Sequence, residues 1–331
     1  MGRWGLVGAD KPKETRKKKE DIPSNATGRK RKQSTGDVDD PSPVKRLKTL
    51  NKPPPKGIAW DADNYSCAYD ALFTCLLNIW LDHDSLWTVR FGTVGIRMKR
   101  LAEGFTKITN KTGTLENARD QVRHEITAVY PDQFPVGPEF TVLDNLTQVM
   151  FKEKFWGTRT SKCTKCGHIA HVEADFLCTK ELVKDELLQS RYKSDYSLSH
   201  WLMSGKIAAT KSFCHNCHSH LTDFVTPTEA PPILYFNVHD NNIKLDHELR
   251  VTVKGVPITY MLRGVIYSGG NHFTCRVVRE SGEIWYHDGI VTGAKLLSEG
   301  NLHSKLPKFL NTCIKDDYCR LVAAAIYACS A

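Results

Sequence analysis

Long apolar runs are missing from this 331-residue sequence: no stretch of about 18 or more apolar residues occurs, which argues against a membrane-spanning helix. The first residues also lack the apolar core that a secretory signal needs, so a soluble, intracellular protein with no membrane partner is expected. Residues 57–331 lack net charge. Residues 1–56 hold 16 Lys and Arg against 7 Asp and Glu, leaving 30 of the 46 basic and 30 of the 37 acidic residues to the remainder. The formal charge of +9 therefore belongs to the first 56 residues, and the body has no excess field with which to hold a polyphosphate. Repeats of the solenoid kind are absent as well.

Residues 1–56 are also poor in apolar side chains, too poor to offset the entropy of ordering them, and read as a disordered basic tail. Three basic clusters lie within it: Arg16 to Lys19, Arg29 to Lys32, and Lys45-Arg46-Leu47-Lys48 after Pro43-Val44. Such clusters serve as nuclear import signals or phosphate-binding patches. Three together favour import, which places the protein in the nucleus with the cytoplasm as a second compartment. No aromatic residues alternate with the charges, so any nucleic-acid contact through the tail is expected to be weak. Pro53-Pro54-Pro55 forms a stiff spacer before order begins near Gly57.

A hydrophobic content of 40% suffices for one large core or two moderate ones. After Cys67, the residues Tyr69, Leu72, Phe73, Leu76, Leu77 and Trp80 recur at three- and four-residue spacing, which predicts one apolar face of a helix beginning at or near Cys67. Residues Glu116 to Val129 and Glu139 to Lys152 also read as mostly helical. A cysteine-rich insertion runs from about 160 to 223. Beyond Pro231-Pro232, strands are predicted at Ile233 to Val238, Leu249 to Val253, Ile258 to Tyr267, Phe273 to Val278 and Glu283 to His287. The apolar run Leu321 to Ala328 fits a final helix or a buried strand equally. Helices, an insertion and then antiparallel strands make an α+β fold.

Eleven cysteines in an intracellular chain point to metal ligands, a nucleophile and small core residues rather than disulfides, because the cytosol and nucleus keep thiols reduced. The sequons at Asn25, Asn110 and Asn145 then meet no glycosylation machinery. Cys67 at a helix start is the candidate nucleophile, since the thiolate is the reactive form and a helix N-terminus favours the anion. The candidate base is His272, where the glycine-rich turn Ser268-Gly269-Gly270-Asn271 gives way to alternating strand residues. Asp288, in Trp285-Tyr286-His287-Asp288-Gly289, ends the next strand and is placed to orient the imidazole. Each has a blander reading on its own, as a buried cysteine, a turn histidine and a hairpin Asp-Gly. Their order along one chain makes coincidence hard to sustain.

Cys163-Thr164-Lys165-Cys166 and Cys214-His215-Asn216-Cys217 are two Cys-x-x-Cys knuckles, which in an intracellular protein most often complete a four-cysteine zinc site. Four protein ligands leave no open position for water, so the zinc is expected to be structural. His168, His171, Cys178 and His218 are alternative donors for one position. The long separation of the knuckles suggests that the site pins the two ends of an insertion.

Together these segments resemble the ubiquitin-specific proteases, papain-like cysteine peptidases. The resemblance rests on the Cys box Asp63 to Phe73, the two knuckles, Ala230-Pro231-Pro232-Ile233-Leu234-Tyr235-Phe236, and a His box formed by Gly270-Asn271-His272-Phe273 with Trp285-Tyr286-His287-Asp288. It spans about 57–331 and implies a helical thumb, zinc-binding fingers and an antiparallel β palm. It also implies hydrolysis of the isopeptide bond after the C-terminal glycine of ubiquitin or a relative such as SUMO. The Cys box departs from the family pattern. Ala62 stands five residues before the nucleophile, Asn64 replaces a glycine, and Asp70 replaces an asparagine. Asn64, the nearest carboxamide, is the candidate oxyanion donor. Two rival readings are an inactive modifier-binding domain of the same fold and a nuclear zinc protein that binds DNA.

Overall fold

The apolar spacing after Ser66 produces α1, Cys67–Trp80. The computed structural model describes residues 54–175, 179–181, 196–204, 206–238, 243–302, 308–311, 314 and 319–330. The basic clusters of the tail and Cys178 lie outside the described residues. Every residue of α1 is buried, not only the face that the spacing predicts. The polar residues on its second side survive burial because the incoming chain satisfies them. Asn78 Nδ2 donates to the Lys56 carbonyl at 2.8 Å, and the Ile58 N–H donates to Thr74 Oγ1 at 3.3 Å.

Four further helices follow: α2 Asp84–Val94, α3 Ile96–Thr109, α4 Leu115–Val129 and α5 Leu143–Phe151. The first two were not anticipated; Trp87, Phe91 and Val94 of α2 and Met98, Leu101 and Phe105 of α3 join the α1 core. Helix α4 begins at a capping box in which Thr114 and Asn117 exchange bonds. Helix α5 is shorter than the sequence suggests, because residues 139–142 precede it without helical structure.

Two sheets complete the fold. The smaller has the order β2-β1-β5-β4, from β1 Gly157–Cys163, β2 Ile169–Asp175, β4 Lys206–Phe213 and β5 His220–Pro227, all antiparallel. The larger runs β11-β10-β9-β8-β12-β6-β3, with β7 also paired to β8. Its strands are β3 Thr179–Glu181, β6 Ile233–Asn237, β7 Glu248–Val253, β8 Val256–Gly269, β9 His272–Val278, β10 Glu283–His287, β11 Leu297–Asn301 and β12 Leu321–Cys329. Strand β3 joins this sheet parallel to β6, and α6, Leu198–Ser204, adds Leu198 and Trp201 to its core. The chain between the knuckles therefore supplies parts of the larger layer, which accounts for their long separation.

The larger sheet is buried on both faces. Ile233, Tyr235, Ala324 and Ile326 face the α1 core, whereas Leu234, Phe236, Ala325 and Tyr327 face a second core with Tyr196, Leu198 and Trp201. Burial on both sides makes β12 a continuous apolar run and explains why its period was uninformative. Helix α1 approaches β8 and β9 closely enough that a Cβ on Gly264 would lie 2.7 Å from Cys75 Sγ. Gly264→Ala is expected to destabilise the protein by about 1–3 kcal/mol, read as a lowered denaturation midpoint. An unchanged midpoint would mean that α1 does not press on β8.

Candidate active site and metal centre

Cys67 is the first residue of α1 and is 4% exposed. Burial pushes its thiol above the ordinary value, with the N–H groups of Phe273, Ala68 and Cys67 itself pulling the other way and the Asp70 charge adding to the rise. Contact with the Phe273 N–H places the sulfur beside the residue after His272. Helix α1 packs on β9, which starts at His272, so the two candidate groups meet at the N-terminal ends of their elements.

The turn into β9 uses two left-handed residues, Gly270 at φ 59° and Asn271 at φ 57°. Asparagine tolerates that region better than most side chains. His272 follows, buried, and its Nε2 lies 3.0 Å from Asp288 Oδ1. Strands β9 and β10 pair antiparallel, with His287 opposite Cys275, which delivers Asp288 to the same end. The Asp288 carboxylate also accepts from the N–H groups of Ile290 at 3.0 Å and Val291 at 3.2 Å. Burial works against its charge, but the bonds from His272 and these two amides hold the carboxyl below its ordinary value. With Nε2 engaged by Asp288, Nδ1 is the ring nitrogen left for exchange with a partner. Among the described residues, Cys67 and His272 share no direct hydrogen bond in this arrangement. Such bonds are often loose until substrate is bound.

Asn64 is engaged elsewhere. Its Nδ2 donates to Asp61 Oδ2 at 2.8 Å and its Oδ1 accepts the Gly137 N–H at 3.1 Å, so both ends of the carboxamide tie loops together. One Nδ2 hydrogen is thereby taken by Asp61, and the carboxamide that the sequence offers as oxyanion donor is anchored in its loop. A network that the sequence did not reveal lies behind Cys67: Asp70, Ser66 and Arg119 are all buried and mutually bonded. Burial pushes the Asp70 carboxyl up to about 7, against the pull of Arg119 and Ser66. Removing one member of such a buried pair costs about 3–5 kcal/mol. Only the helical pattern of α4 hinted at Arg119, and nothing local tied it to residue 70.

A cleft of about 470 Å³ adjoins His272, walled by Phe140, Val142 and Leu143 on one side and by Gly269, Gly270 and Phe273 on the other. Glycines here let a main chain approach closely.

The four cysteines converge. Cys163, Cys166, Cys214 and Cys217 place their sulfurs within 4.8 Å of one another, with Cys163 to Cys217 at 3.4 Å and Cys166 to Cys214 at 3.5 Å. A tetrahedral thiolate-bound ion with bonds of about 2.3 Å spaces its sulfurs about 3.8 Å apart, so the group could hold a metal. The two knuckles share one geometry. Each first cysteine donates its N–H to the carbonyl five residues on, at His168 and Ser219, and accepts from the N–H four residues on, at Gly167 and His218. Each knuckle lies at the turn of a hairpin, β1–β2 and β4–β5, and β1 pairs with β5. Among the described residues, His168, His171 and His218 are not part of the cluster.

No family profile and no curated protein sequence matches this chain. Solved structures do. The chain is similar to a SAGA DUB module, Ubp8/Sgf11/Sus1/Sgf73 bound to monoubiquitin, with a TM-score of 0.51 at 12% identity over 86% of this chain and 72% of that one. It is similar to the Neurospora crassa Pan2 catalytic unit (protease and nuclease domain), with a TM-score of 0.52 at 12% identity over 83% of this chain and 57% of that one. The fold is therefore distantly like that of the ubiquitin-specific proteases.

Two outcomes are expected. A carboxyl held below 3.8 stabilises the fold above that value and loses its effect as pH falls through the lower folded value. The difference in melting temperature between the protein and Asp288→Asn should hold steady from about pH 7 to about pH 5 and shrink on further acidification. A gap that widens in acid contradicts an ionised Asp288. Cys163→Ser should lower both bound metal, measured by elemental analysis, and thermal stability; full metal content in that variant contradicts the four-sulfur site.

Proposed function

We propose that this protein is a thiol-dependent isopeptidase that removes ubiquitin or a ubiquitin-like modifier from proteins. The observation that carries the reading is the conjunction at one sheet end of three features: Cys67 at a helix start, the Phe273 N–H on its sulfur, and His272 hydrogen-bonded to an ionised Asp288. The likeness to a DUB module bound to monoubiquitin supports it.

In this reading His272 Nδ1 takes the Cys67 proton, and the thiolate attacks the isopeptide carbonyl carbon. Asp288 holds the imidazole in place, and the imidazolium formed by that transfer then protonates the departing lysine amine. Water hydrolyses the thioester with His272 again as base. The oxyanion is met by the backbone amides of the first α1 turn, with Asn64 shaping the preceding loop. The cleft beside Gly269 and Gly270 receives an extended, glycine-ended tail. Helices α1 to α5 act as thumb, the smaller sheet as fingers and the larger sheet as palm. Cys163, Cys166, Cys214 and Cys217 would hold a zinc ion, which would pin the two hairpins of the fingers and serve structure rather than the chemistry at Cys67. The basic clusters of residues 1–56 direct the protein to the nucleus.

A second reading, an inactive domain that holds the modifier without cutting it, is favoured by the buried, protonated Cys67 thiol without a direct bond to His272. Incubation with ubiquitin or SUMO carrying a C-terminal electrophile separates the two. The isopeptidase gives a covalent adduct that Cys67→Ala abolishes, and His272→Ala loses turnover; reversible binding without adduct establishes the second reading.

A further inference from the structure

The stretch Ala59–Ser66, which delivers Cys67 to the start of α1, is gripped from α4. Glu116 Oε1 accepts the Ala59 N–H at 3.2 Å, and Arg119 Nη1 donates to the Ala59 carbonyl at 2.8 Å. The same Nη1 lies 2.9 Å from Asp70 Oδ1 and 3.2 Å from Ser66 Oγ. Ser66 Oγ closes the ring, accepting the Asp61 N–H at 2.8 Å and donating to Asp70 Oδ2 at 2.6 Å. Both members of the Arg119–Asp70 pair have side chains only 3% exposed. Position 70 is one of the places where the sequence departs from the Cys box it resembles. A buried carboxylate there needs a cationic donor that an asparagine would not, and α4 supplies it.

We infer that Arg119 is a positioning residue for Cys67: with Asp70 and Ser66 it locks the Ala59–Ser66 stretch against the first turn of α1, so that the sulfur and the amides around it keep one arrangement. Arg119 touches neither the sulfur nor His272, and it acts through the loop. Tyr65, at φ 42°, shows that this loop passes through a conformation that free chain would leave. The clamp has two consequences of opposite sign. Releasing it exposes the sulfur and removes the burial that pushes the thiol up, so simple alkylation speeds. Releasing it also scatters the attacking geometry, so turnover slows.

The kinetic arm rests on the isopeptidase reading; the alkylation arm does not. The variants are Arg119→Lys, and Ser66→Ala as a milder change should the first unfold, with Ser66→Thr as the variant that keeps the hydroxyl. Site-resolved mass spectrometry after brief iodoacetamide treatment is expected to show Cys67 modified about five-fold faster in Arg119→Lys and Ser66→Ala. Cys75 and Cys275, both 0% exposed on α1 and β9, should keep their wild-type rates. On a modifier substrate, kcat should fall about tenfold with KM little changed, and Ser66→Thr should restore both readouts. A common rise at Cys67, Cys75 and Cys275 would mean general loosening and overturn the inference, as would an unchanged Cys67 rate or a loss confined to KM. Absence of turnover and adduct in the unmodified protein would defeat the isopeptidase reading alone, and the alkylation pattern would still decide the clamp.

Discussion

A helix buried along its whole length, α1, presses on β9, and the rest of the site depends on that contact. Two elements packed at their N-terminal ends put Cys67 and His272 near one another although about two hundred residues separate them in the chain. The helix also lies close to the neighbouring strand β8, where the bare backbone of Gly264 faces Cys75. Because protein interiors are close-packed, such a contact has little freedom to slide, and a sulfur fixed by it stays where the strand places the imidazole.

Around that contact several polar groups are held by main chain or by an opposite charge. Asn78 and Thr74 on α1 are met by the backbone of Lys56 and Ile58, and Asp288 by two amides and an imidazole. Arg119 is met by Asp70, Ser66 and the Ala59 carbonyl. Burial without such partners would be prohibitive. The same logic gives opposite results for the two carboxylates. Asp288 collects enough donors to stay ionised, whereas burial outweighs the donors at Asp70 and pushes it up to about 7.

The four-cysteine cluster and the end of the sheet that carries His272 are separate solutions to separate problems. Among the described residues, the core cluster of the small sheet is Cys163, Cys214 and Leu221, a small apolar area with which to give two hairpins cohesion. Four sulfurs at the hairpin turns can supply that cohesion through an ion. The long chain between the knuckles contributes β3 to the larger sheet and α6 to its core, which ties the smaller sheet to the body through that chain.

Much of this was legible in the sequence. Helix α1 followed from three- and four-residue spacing, five strands from alternation, and the four-cysteine cluster from two identical knuckles, all of which are local signals. The antiparallel neighbours that bring His272 to Asp288 followed from a short hairpin. Helix α2 carries a weak pattern, whereas Met98, Leu101, Ala102 and Phe105 give α3 a one-sided spacing that was legible, and β12 carries none because it is buried on both faces. The engagement of Asn64 by Asp61 and Gly137, and the clamp of Arg119 on Asp70, could be decided only by tertiary structure. Periodicity and spacing report which face a residue occupies within its own element. Which donor from a distant helix fills a buried acceptor depends on how elements pack, and no local pattern encodes that.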